Sequence, residues 1–232
     1  RFIGASRFFR VGRITRPEPS PCRYALMPTA PMPASVIATP LVLVHGLWDT
    51  PRLFRRLEAQ LAGRRPALLI PHLPHGLGTP PLEQLAQRLG EAIEQRFGAD
   101  QTLDVLGFSM GGVVARTWLQ LLGGRRRTRR FWCVGSPQQG TWLAQGVPRW
   151  PLAGIADMKV GSKLLRQLNG DPLGLEPVEC SSLYCPTDLM VVPGWRATLP
   201  LGPRQALPVW THRQLMAHPR ALKPLAEALL AP

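Results

Sequence analysis

A chain of 232 residues with 45% hydrophobic composition can build one domain around a sizeable core and is too short for two comfortable ones. No stretch approaches the roughly 18 apolar residues of a membrane span, and no apolar block near the start resembles a secretory signal, so a soluble protein is expected. The formal charge of +14 is nearly all arginine and favours anionic surfaces, but no aromatic residues interleave with the arginine runs as a single-strand platform requires, which argues against nucleic acid as a partner.

Residues 1 to 38 hold six prolines, one acidic residue and scattered arginines without a sustained period, and read as a tail. Met27 and Met32 sit just ahead of the first convincing strand. An over-extended start and an organellar transit segment are the two readings of this tail.

From residue 39 to 232 short apolar runs alternate with amphipathic segments, the pattern of a parallel sheet wrapped by helices. Leu41 to Val44 and Ala67 to Ile70 read as strands buried on both faces, with a helix from Arg52 to Leu61 between them. Leu82 to Phe97 repeats apolar residues at three- and four-residue intervals and predicts a helix. Thr102 to Leu106 predicts a strand, and Met110 to Leu122 a helix stopped by Gly123 and Gly124. The run Arg125 to Arg130, RRRTRR, reads as a solvated loop, with an anionic partner as its alternative. Phe131 to Val134 is the next buried strand.

Residues 140 to 178, broken by four prolines, look like a cap-like insertion over the sheet with one helical stretch around Ser162 to Leu168. A strand near Ser182 to Cys185, a short one at Leu207 to Trp210 and a closing helix from Pro219 to Leu230 complete the pattern. Cys22, Cys133, Cys180 and Cys185 have neither metal-ligand nor redox spacing, so reduced thiols and no metal are expected.

Gly107-Phe108-Ser109-Met110-Gly111 fits G-x-S-x-G where a buried strand runs into it and a helix leaves it. So tight a turn strains the serine backbone and requires small flanking residues, here Gly107 and Gly111. The following helix directs unpaired N–H groups toward Ser109, which suits an oxyanion. His45-Gly46-Leu47-Trp48 follows the first strand, where a second oxyanion donor belongs, and Gly46 permits close backbone approach. The N–H groups of Leu47 and Met110 are the candidate donors. His45 precedes the nucleophile in a loop motif and reads as a loop-ordering residue; His72 and His75 receive no chemistry.

The segments LVLVHGLW, GFSMGG and GSPQQGTW (Gly135 to Trp142) together resemble the α/β-hydrolase lipases, and Asp157 to Asn169 resembles a segment of small bacterial lipases and their eukaryotic deacylase relatives. The resemblance runs from about residue 40 to the end. It implies a minimal α/β-hydrolase fold, a mostly parallel sheet of about six strands with helices on both faces and the insertion after the family's sixth-type strand. The family's order of serine, acid, histidine, carried over by position, assigns Ser109 as nucleophile, Asp188 in Tyr184 to Val191 as the acid, and His212 as the base. Asp171 and His218 are the rivals. Gln138 and Gln139 stand where the family commonly has a histidine, a change expected on the cleft wall.

Such a set implies cleavage of a carboxylic ester through an acyl-enzyme on Ser109, without cofactor, on a small-molecule ester or lipid. Trp142, Trp150, Trp195 and Trp210 would suit an acyl chain or pack in the core. Acyl transfer or thioester cleavage with the same triad, and a silent lipid- or protein-binding fold, are the alternatives. A cytoplasmic monomer is expected, with an anionic membrane surface as a possible contact.

Overall fold

A computed structural model describes residues 36–231. The tail and Cys22 lie outside the described residues, apart from the last few positions of the expected tail. Among the described residues six strands form one sheet in the order β2-β1-β3-β4-β5-β6, every neighbouring pair parallel. The strands are β1 (Leu41–Val44), β2 (Leu68–Leu69), β3 (Leu103–Phe108), β4 (Thr128–Val134), β5 (Glu179–Tyr184) and β6 (Arg204–Ala206). This is the open parallel sheet with helices that the sequence predicts.

Alternation along each strand divides the core in two. Val42, Val44, Val105 and Phe131 face α2 (Leu82–Phe97), α3 (Met110–Leu121) and α5 (Lys163–Gly170), whereas Leu41, Leu43, Leu106 and Trp132 face α1 (Arg55–Leu61) and α6 (Pro219–Leu230). A short helix, α4 (Ala153–Ala156), precedes α5. Among the described residues no helix is long and apolar enough to cross a membrane.

Several expectations are corrected. The strand expected at Ala67 to Ile70 shrinks to Leu68–Leu69, and both residues are only half-buried because β2 is an edge strand with a neighbour on one side. The helix expected from Arg52 opens with a 3-10 turn at Pro51–Phe54 and becomes α-helical at Arg55. The strand expected at Leu207 to Trp210 lies instead at Arg204–Ala206. Leu207 and Val209 bury their side chains in the core, which imitates a strand's alternation, while Gln214 Oε1 takes the N–H of Trp210.

The solvated-loop reading of RRRTRR also fails. Arg125 to Arg127 form a 3-10 turn, and β4 already begins at Thr128. Arg129 then makes a two-pronged contact with the fully buried Asp104, at 3.0 and 2.9 Å. Arg65, also fully buried, meets the same carboxylate at 2.8 Å and donates to the carbonyls of Thr39 and Leu229. Burial pulls the Arg65 pKa below its ordinary value while Asp104 opposes the shift.

After β2 the chain returns to the opposite side of β1 to form β3, so the strand order reverses between β1 and β3. In open α/β sheets such a switch point leaves a crevice beyond the strands' carboxyl ends. Val44 pairs with Gly107 there, so the His45 and Ser109 turns emerge side by side.

Candidate active site

The backbone of Ser109 has φ 53° and ψ −130°, a conformation that L-residues rarely adopt. It is anchored on both sides: Ser109 N–H donates to Val134 O at 2.9 Å, and Gly112 N–H donates to Ser109 O at 3.0 Å. The flanking glycines are steric necessities. A Cβ on Gly107 would lie 2.3 Å from Gly112 Cα, and one on Gly111 would lie 2.2 Å from Val44 O. Gly46 approaches the serine itself, since a Cβ there would come within 2.8 Å of Ser109 Cβ.

Asp188 lies in the turn after β5 and is buried. Its Oδ1 accepts from the N–H groups of Met190 at 2.7 Å and Val191 at 3.1 Å, and Oδ2 faces His212 Nδ1 at 2.6 Å. His212 opens a 3-10 turn at His212–Met216, and its ring packs 4.8 Å from that of Phe108, the neighbour of Ser109. Two further bonds hold the acid and histidine loops together: Thr187 Oγ1 donates to Trp210 O at 2.9 Å, and Cys185 Sγ to Val209 O at 3.1 Å.

The rivals are otherwise engaged. Asp171 caps the 3-10 turn at Pro172–Leu175 by accepting from Gly174 N–H, and His218 caps α6 by accepting from Arg220 N–H.

His45 orders its loop. Nε2 accepts from Leu73 N–H at 3.2 Å, which leaves the ring proton on Nδ1 to donate to Gly46 O at 3.1 Å. Burial holds its pKa below the usual 6.5, consistent with this neutral tautomer. His75 stands against the same ring and contacts Asp49 O at 3.2 Å through Nε2. His72 lies 5.9 Å from the His45 ring and is exposed. The N–H groups of Leu47 and Met110 have no hydrogen-bond partner among the described residues.

Ser109 and His212 open into one cavity of about 960 Å³, whose apolar lining includes Leu143, Val147, Ile155 and Met158. The serine hydroxyl and the imidazole are not hydrogen-bonded in this arrangement; such contacts often close only around substrate. Gln138, expected on the cleft wall, is instead fully buried behind it, donating to Ser136 Oγ at 3.0 Å. Arg116 of α3 holds that loop by donating to Gln138 O at 3.3 Å, and burial brings its pKa down to about 10.

Of the four tryptophans expected to suit the acyl chain or the core, Trp142, Trp150, Trp195 and Trp210, all are exposed rather than packed in the core and none lines the cavity, whereas Trp48 does. Sequence reasoning also missed the polar lining, Asp49 with Arg52, Arg55, Arg56 and Arg213. The spacing of Arg52, Arg55 and Arg56 on one helical face was the available signal.

The sequence matches the model of the alpha/beta hydrolase fold family over residues 39–214. A comparison with curated protein sequences gives no match. Among solved structures, the mature lipase BlEst2 of Bacillus licheniformis is similar at a TM-score of 0.64 and 16% identity, over 88% of this chain and 95% of that one. Aspergillus fumigatus lipase B is similar at 0.68 and 18%, over 86% of this chain and 55% of that one. An α/β hydrolase enzyme, MGS-MChE2, from a sediment metagenome of the Mar Chica lagoon is similar at 0.60 and 17%, over 84% and 91%. With the family match spanning most of its length and the strained serine turn at the switch point of its sheet, the chain belongs to the α/β-hydrolase fold family.

Proposed function

We propose that the protein is a serine hydrolase that cleaves carboxylic esters with an apolar acyl group. The observation that carries this reading is the strained Ser109 opening into the same largely apolar cavity as a histidine held at 2.6 Å by a buried carboxylate. The lipase names of two of its structural neighbours agree with it.

In this mechanism His212 Nε2 takes the Ser109 hydroxyl proton as Oγ attacks the ester carbonyl carbon, while Asp188 keeps the other imidazole proton on Nδ1 and stabilises the imidazolium. The N–H groups of Leu47 and Met110 receive the oxyanion. Collapse of the tetrahedral intermediate breaks the bond to the leaving alkoxide, which takes the proton from His212. Water, deprotonated by His212, then attacks the acyl-enzyme, releasing the acid and restoring Ser109.

Turnover of p-nitrophenyl esters of increasing acyl length is the test. Wild type hydrolyses them and reacts with a fluorophosphonate probe; Ser109→Ala loses both, and His212→Ala loses roughly 10⁴-fold or more in kcat. Undiminished turnover in Ser109→Ala, or folded wild type inert to every ester and to the probe, would overturn the reading.

A further inference from the structure

The cavity is chemically two-sided. Segment 143–158 supplies apolar lining, while Arg52, Arg55, Arg56 and Arg213, with the single acid Asp49, line the same cavity. Arg52, Arg55 and Arg56 follow one another at i, i+3 and i+4 through the Pro51–Phe54 turn into α1, and Arg213 adjoins His212.

None of the four forms an ion pair among the described residues. Of their groups, Arg56 donates to Ala217 O at 2.8 Å. Asp49 sets one carboxylate against the four arginines and forms no ion pair with them among the described residues.

Like charges at this helical spacing oppose one another, so the cluster weakens the segment that carries it. An anion relieves that repulsion, and the planar guanidinium fork matches phosphate and carboxylate oxygens. Resting on the serine-hydrolase reading above, we propose that the arginines form a headgroup subsite and that the preferred substrate is an anionic amphiphile. Its acyl chain would lie along segment 143–158 and its phosphate or carboxylate against Arg52, Arg55 and Arg213.

Two measurements on the full chain test this. With wild type, hydrolysis of a 1-acylglycerol is compared with that of the 1-acylglycerol 3-phosphate of the same acyl length, both below their micellar concentrations. The phosphate ester should show kcat/KM at least about tenfold higher, mainly through KM, a factor worth about 1.4 kcal/mol. The ratio should fall toward one in Arg52→Gln/Arg55→Gln/Arg213→Gln, whose changed side chains are exposed. With Ser109→Ala, calorimetry should find octyl phosphate bound about tenfold tighter than octyl glucoside. The arginine substitutions should erase this preference.

Because the binding comparison needs no turnover, it decides the inference even if the hydrolase reading fails. Equal binding of the two detergents, or a wild-type turnover ratio of one, overturns the subsite. So does inorganic phosphate binding as tightly as octyl phosphate, which would mean a free-phosphate site. A preference seen only on phosphatidylglycerol vesicles and not with monomers would likewise overturn it in favour of a membrane contact.

Discussion

At the scale of single residues, Asp188 divides its two oxygens between tasks. Oδ1 is fixed by two backbone amides, so Oδ2 is left in place for the imidazole. An asparagine would keep the volume but can turn its NH₂ toward Nδ1, which stabilises the tautomer with the proton on the wrong nitrogen. Asp188→Asn is therefore expected to lower kcat by about 10⁴ with a small change in KM, read from steady-state kinetics on protein whose circular dichroism matches wild type. Chain order and family resemblance singled out Ser109, Asp188 and His212 in the sequence, and the structure brings Asp188 against His212 and sets Ser109 and His212 on one cavity. The capping roles of Asp171 and His218 became visible only with the loops folded around them.

At the scale of elements, the turn from β3 into α3 depends on backbone packing that tolerates no added atom. Gly111→Ala would drive a methyl group into Val44 O, which β1 cannot withdraw without leaving the sheet. A loss of about 3 kcal/mol or more in urea unfolding is expected, whereas Gly146→Ala, with open space around the new methyl, should be nearly neutral. Strand and helix types were largely legible from their apolar periods: α2 and α6 have the predicted bounds. The last strand was not, since Leu207 and Val209 bury alternate side chains as a strand would, while Val209 N–H turns back to Leu207 O and Val209 O takes Cys185 Sγ.

Across the whole molecule, Asp104 joins parts that are remote in sequence: it gathers Arg65 and Arg129, and Arg65 in turn holds the carbonyl of Leu229 at the end of α6. Asp104→Asn leaves the buried Arg65 cation without its counterion. It should cost about 3–5 kcal/mol in chemical denaturation. This cluster was illegible in the sequence because its pairs are separated by 39 and 25 positions and nothing local distinguishes a buried arginine from a solvated one.

Segment 140–178 has a similar long-range attachment. Gly154 N–H donates to Gly78 O, Asp157 Oδ2 receives Leu82 N–H at the start of α2, Thr141 Oγ1 bonds Met190 O and Val192 N–H, and Arg116 holds Leu168 O. Each such bond is worth about 0.5–1.5 kcal/mol net, so releasing them together is a rare event. Under the proposed chemistry, the segment that carries Ile155 and Met158 is then a fixed ruler: the depth between it and Ser109, set when the chain folds, decides which acyl lengths reach the nucleophile.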